Sequence, residues 1–136
     1  DTDAMVEAAH GPIPRIFAQH GEAVFRQYEL DAAREAAGYM RTVISTGGGI
    51  VHTEAAMQAL RETGIVVYID RPLERLLSET DTSGRPLLAG GKSAIAALYQ
   101  KRHHLYQEYA DIISENTADA SACAQDITIK LEEYLK

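Results

Sequence analysis

Residues 42–51 read TVISTGGGIV. The first four form a short apolar run rich in β-branched side chains, the pattern of a buried strand. The run leads into three successive glycines, Gly47, Gly48 and Gly49. Without a Cβ, such a segment lets a ligand approach the chain and presents bare N–H groups to it. A tight turn with positive φ is the other reading, although one or two glycines would serve that purpose. Ligands of open α/β sheets bind at the carboxyl ends of strands, which is where these glycines stand.

Working outward, IVVYI at 65–69 repeats the buried-strand pattern, and DIIS at 111–114 is a shorter third candidate. Helical patterns occupy the intervals. Residues 21–40 place Val24, Phe25, Tyr28, Ala32 and Ala36 near helical spacing, while 53–64 opens on a Thr cap and closes on Gly64. Further helices are expected over 92–109 and 118–135. Strands alternating with helices predict parallel strands joined by crossover helices, an α/β architecture. A length of 136 residues suits one domain. A polar, non-periodic loop, SETDTSGRPLLAGG at 78–91, lies between two helices, and a loop of that length is usually functional.

Thirteen basic against twenty acidic residues leave a net charge of −7, which argues against a nucleic-acid or acidic-membrane surface. The single cysteine, Cys123, cannot form an internal disulfide and reads as a small buried hydrophobe in a reduced, cytoplasmic protein. No apolar run is long enough to span a bilayer. The first residue is Asp1 rather than methionine, so the sequence is expected to be trimmed or partial.

Asp1 and Asp3 sit in the opening DTD. Alternate residues of an extended segment face opposite sides, so one carboxylate can serve a metal and the other a substrate hydroxyl. Capping of the following helix is the plainer role for Asp3. Arg26 has Glu22 four residues before it and Glu29 three after. It reads either as a surface helix pair with Glu22, worth a few tenths of a kcal/mol, or as an arginine that Glu29 orients toward an anion. Arg102, in QKRHHLY, is open in the same way. Arg85 precedes Pro86, which restricts it to an extended backbone, and an arginine on a closing loop suits a clamp for phosphoryl charge. His20, His52, His103 and His104 lack metal-ligand spacing.

GGKS at 90–93 imitates the end of a phosphate loop. The full pattern G-x-x-x-x-G-K-[ST] needs a glycine at 86, where Pro86 stands, and a strand before it. GGKS is therefore read as a glycine turn leading into the helix at 92.

Taken together, DTD at 1–3, IPRIFAQHGEAVFRQYE at 13–29, STGGGIV at 45–51, GRPLL at 84–88 and KRHHLY at 101–106 resemble the shikimate kinases. The resemblance implies transfer of the γ-phosphoryl of ATP to the 3-hydroxyl of shikimate, with Mg2+, in aromatic amino-acid biosynthesis. It implies a three-layer, nucleoside-monophosphate-kinase-like P-loop fold around a parallel sheet of order 2-3-1-4-5. By motif position, Asp3 would hold substrate hydroxyls and act as base, and Asp1 would hold Mg2+ through water. Arg26 and Arg102 would grip the shikimate carboxylate, with Glu29 orienting them. Gly47, Gly48 and Gly49 would contact the substrate, Phe17 and Phe25 would wall it, and Arg85 would reach the phosphates from the lid. Residues 4–38 would be the shikimate-binding helical region and 78–91 the lid.

The sequence departs from the family at Ser78, where a basic residue is usual, in ENTADAS at 115–121, which carries no base, and at His104 in place of Pro. The family's phosphate loop lies upstream of DTD, on a strand and helix of roughly 30 residues. Strand 1 and the P-loop helix are therefore expected from a preceding segment of the same or another chain, in an otherwise monomeric protein. Residues 1–136 alone are expected to be inactive. A non-catalytic shikimate-binding module is a second reading, which Ser78 and the base-free 115–121 favour. A small-metabolite kinase such as gluconate kinase is a third, against which the triple glycine and the FRxxE pair argue.

Overall fold

The computed structural model describes residues 1–80 and 86–136, which fall into two compact units. One is built on Asp1–Gly64, the other on 65–80 and Gly90–Lys136.

The first unit carries α1 (Thr2–His10), α2 (Ile13–His20), α3 (Glu22–Ala37) and α4 (Glu54–Thr63), with a 3-10 turn over Gly48–His52. Asp1, not Asp3, caps α1: its Oδ1 accepts from the Ala4 N–H at 3.0 Å. Asp3 occupies the first turn, where the helix dipole favours negative charge. Gly21, at φ 83°, turns α2 into α3 through a conformation that other side chains avoid. Val6, Ile16, Phe25 and Ala32 form the core, with Met5, Ile13, Phe17 and Tyr28 packed on it. Each large apolar side chain so buried contributes roughly 1.5–3 kcal/mol. Helix α3 packs on α1, α2 and α4, and its buried Ala33 and Ala36 leave room for close approach. Thr53 stands at the N-cap of α4, but its side chain makes no capping hydrogen bond, contrary to the sequence expectation.

TVIS at 42–45 is not a strand. Among the described residues it pairs with no neighbouring strand, and Val43 is 96% exposed. A β-branched run acquires its burial and its ladder only from a partner strand, so the same residues run on as irregular chain. Its last carbonyl is engaged, since Ser45 O accepts from the Thr2 N–H at 3.0 Å.

The second unit contains β1 (Val67–Asp70), α5 (Leu73–Glu79), α6 (Lys92–Tyr109), β2 (Ile112–Glu115) and α7 (Ala120–Tyr134). The strands pair in parallel, from Val67 with Ile112 to Asp70 with Glu115. Asp111 fixes that register, because its Oδ2 accepts from the Val66 N–H at 2.8 Å while its own N–H donates back to Val66 O. Helices on a parallel sheet are the expected α/β class, with two strands in the sheet among the described residues. Gly91 is the N-cap of α6, so GGKS does open a helix. Cys123 is buried beside Ser114. Among the described residues, no helix is long and apolar enough to cross a membrane.

Candidate functional site

The glycine turn after TVIS is the floor of the site in the first unit. A Cβ built on Gly47 would lie 3.0 and 3.1 Å from the two carboxylate oxygens of Asp3. A Cβ on Gly49 would lie 2.5 Å from Arg26 Nη1 and 2.7 Å from its Cζ. Two side chains from different helices, α1 and α3, therefore rest against one short turn. The Thr2–Ser45 hydrogen bond ties the start of α1 to that turn, which is how Asp3 reaches it.

Arg26 is held on both sides by its own helix. Nη1 pairs with Glu29 Oε1 at 3.0 Å and Nη2 with Glu22 Oε1 at 3.1 Å. The two sequence readings of Arg26 are thus simultaneous: spacings of three and four bring both acids to one helix face. Phe25 is buried and stands in tilted contact with Phe17, ring centroids 5.0 Å apart, and the Arg26 guanidinium carbon lies 5.2 Å from the Phe25 ring centroid. The apolar ring limits water around the guanidinium and strengthens its attraction for an anion.

Asp1 is doubly engaged, accepting from the Ala4 N–H and from Ser45 Oγ at 3.2 Å. Ser45 was not singled out as a site residue from the sequence. Its only local signal is its place before the glycines, because the contact spans 44 positions. Gly48 lies on the exposed side of the turn.

Arg102 lies in α6 of the second unit and is 9% exposed. Arg85 lies outside the described residues, within 81–85 of the expected lid. The flanks of that loop are the end of α5 and a single 3-10 turn over Pro86–Leu88. A shallow hollow of about 370 Å3 between β2 and α7, lined by Asp111, Ile113, Lys130 and Tyr134 among others, shares no residue with the glycine-turn site.

A third cluster joins β1 to α6. Tyr68 donates to Asp70 Oδ1 at 3.1 Å and meets His103 Nδ1 at 2.9 Å, with Tyr106 and Tyr99 packed beside them. Burial first, then the Asp70 carboxylate, push the Tyr68 hydroxyl well above the usual tyrosine range.

Comparison with known proteins identifies the family. The family model described as shikimate kinase matches residues 1–132. A shikimate kinase of Clostridium beijerinckii is 41% identical over 115 residues, covering 85% of this chain and 68% of its own. One from Moorella thermoacetica is 37% identical over 139 residues, covering 100% and 80%. Among solved structures, shikimate kinase from Acinetobacter baumannii in complex with shikimate superposes with a TM-score of 0.88 at 30% identity, over 100% of this chain and 79% of that one. The Aquifex aeolicus enzyme gives 0.82 at 34% identity, over 97% and 79%.

Proposed function

This chain belongs to the shikimate kinase family, enzymes that phosphorylate shikimate with ATP, and from that premise we propose that its glycine turn is the shikimate platform. Arg26 grips the carboxylate of shikimate and Asp3 receives its reacting hydroxyl. The observation that carries this reading is the seating of Asp3 on Gly47 and of Arg26 on Gly49. A cation and a carboxylate set side by side over bare backbone suit a small hydroxylated acid, with the anionic end at Arg26 and the hydroxyl end at Asp3.

Each residue then has a task. Arg26, pinned by Glu29, offers charge-assisted hydrogen bonds worth roughly 1.5–3 kcal/mol each. Asp3 orients the 3-hydroxyl and accepts its proton as that oxygen bonds to the γ-phosphorus of ATP, whose bond to the β–γ bridging oxygen breaks so that ADP leaves. Gly47 and Gly49 seat Asp3 and Arg26, the exposed Gly48 lets the substrate ring approach the chain, and Phe17 and Phe25 wall its apolar side. Arg102 is the second arginine for the carboxylate and Arg85 the lid arginine for the phosphates, on the strength of the KRHHLY and GRPLL resemblance alone. Residues 4–38 serve as the substrate-binding region and 78–91 as the lid. Phosphoryl transfer asks mainly for such positioning and charge neutralisation.

Asp1 fits a water-mediated Mg2+ site. Each of its oxygens accepts one hydrogen bond, a carboxylate oxygen has two lone pairs, and Mg2+ favours oxygen ligands while keeping several waters. Bound with ATP, the ion would neutralise phosphate charge, and Asp1, steadied by Ser45, would hold it through water.

The test is calorimetric titration of the protein and its R26A variant with shikimate, beside an ATP-dependent assay for shikimate phosphate. Binding is expected to weaken at least about tenfold in R26A, one charge-assisted bond or more. Equal affinity in the two proteins would remove the platform assignment.

A further inference from the structure

We propose that Glu22 is a positioning residue that engages Arg26 while the site is empty and gives way to the substrate carboxylate, so that its charge sets the affinity for the acid. The inference rests on the reading of Arg26 as the carboxylate partner.

The two acids that flank Arg26 are not equivalent. Glu29 is 1% exposed and Glu22 50%. Detaching Glu29 would strand a buried charge, which is strongly unfavourable. Detaching Glu22 returns it to water at small cost. The guanidinium itself has no room on the glycine side, where Gly49 lies against it. Glu29 and Gly49 therefore fix the arginine, and Glu22 is the partner free to move.

Among the described residues the Arg26 Nε is buried and has no hydrogen-bond partner, so it is closed to a ligand while the arginine keeps its seat. Nη2 is the nitrogen that Glu22 holds, at 3.1 Å. A ligand carboxylate that takes a charge-assisted hydrogen bond from Nη2 meets Glu22 there. Two carboxylates at one nitrogen repel each other, so the exposed one swings away. The acid thus holds the guanidinium edge facing the site and opposes the substrate through the same contact.

The test compares the parent protein, E22Q and R26A by calorimetry, each titrated with shikimate and with its neutral methyl ester. Glutamine keeps the shape and an acceptor oxygen but removes the repulsion. E22Q is expected to bind shikimate about two- to fivefold more tightly, the range of an exposed charge pair, and to bind the ester as the parent does. Weaker or unchanged shikimate binding would overturn the proposal, and so would equal tightening toward both ligands. R26A separates the two levels of the argument. If R26A keeps full shikimate affinity, the platform reading fails and takes this inference with it. If R26A loses affinity while E22Q fails to tighten, the role of Glu22 alone is wrong.

Discussion

Gly49 lies beneath the Arg26 guanidinium with no space for a side chain: a Cβ there would contact Nη2 and stand 2.5 Å from Nη1. Gly49 is itself buried, so an added methyl has nowhere else to point. G49A must therefore push the guanidinium off its seat or bend the turn. Displacement of a binding group by about 1 Å can cost on the order of 100-fold. The dissociation constant for shikimate, read by calorimetry, is expected to rise at least about tenfold, with a thermal-denaturation loss of about 1–3 kcal/mol from overpacking. G47A is the contrast, because its Cβ meets only the carboxylate end of Asp3, at 3.0 and 3.1 Å, which can give way slightly. Its loss is expected in shikimate affinity more than in stability, and to be smaller than that of G49A. Equal dissociation constants for parent and G49A would contradict the seating of Arg26.

Glu29 is the buried half of the Arg26 pair, 1% exposed and 3.0 Å from Nη1. Removing one partner of a buried pair leaves the other charge uncompensated, at about 3–5 kcal/mol. Arg26 is 14% exposed, so partial solvation places E29A toward the lower end of that range. E29Q retains an acceptor and should lose less. Denaturant unfolding of the two variants gives the order, and a smaller loss for E29A than for E29Q would show that the pair is not what holds the helix face.

The parts of this molecule readable in advance were those with local causes. Arg26, Glu22 and Glu29 share a face because helical spacing requires it. GGKS could be dismissed as a phosphate loop from Pro86 alone, and Gly91 does cap α6. The α/β class followed from TVIS, IVVYI and DIIS; the last two are strands, although β1 and β2 begin later than those runs, at Val67 and Ile112, because pairing sets their limits. What stayed hidden depends on contacts distant in sequence. TVIS has strand composition but no partner among the described residues. Ser45 holds Asp1 across 44 positions, and no periodicity announces it. The choice of Asp1 over Asp3 as the cap turned on where the helix starts, a boundary the DTD pattern leaves open.

Tyr68 supplies an alkaline signature. Its single hydroxyl proton goes to Asp70, so His103 Nδ1 is the donor to the tyrosine oxygen, which fixes that tautomer. The pKa of Tyr68 is raised above its ordinary value of 10.0, chiefly by burial and then by Asp70. A folded-state value above the unfolded one means that the fold retains a proton which the unfolded chain releases. The contribution to stability is complete below the unfolded value and is lost as pH rises through the folded one. Melting temperature is thus expected to fall above about pH 10, and to fall less steeply in Y68F. Identical alkaline slopes for the two proteins would refute the half-buried neutral hydroxyl.

Asp126 gives the acid counterpart. Ser114 Oγ, fully buried on β2, donates to Asp126 Oδ2 at 2.6 Å, and Lys130 Nζ lies 2.9 Å from the same oxygen. The Ser114 hydrogen bond, followed by the one from Lys130, lowers the Asp126 pKa below its ordinary 3.8, against a smaller opposing effect of burial. Here the folded state holds the proton less firmly than the unfolded chain. The associated stability is present above the unfolded value and disappears as pH falls through the folded one. S114A removes the leading cause and leaves Lys130 in place. Its deficit in melting temperature against the parent is expected to be largest near neutrality and to narrow from about pH 4 downward, with a residue that pH does not touch, since Ser114 also contacts Cys123. A deficit constant from about pH 7 to about pH 3 would mean that Ser114 serves packing alone and leaves the Asp126 charge unsupported.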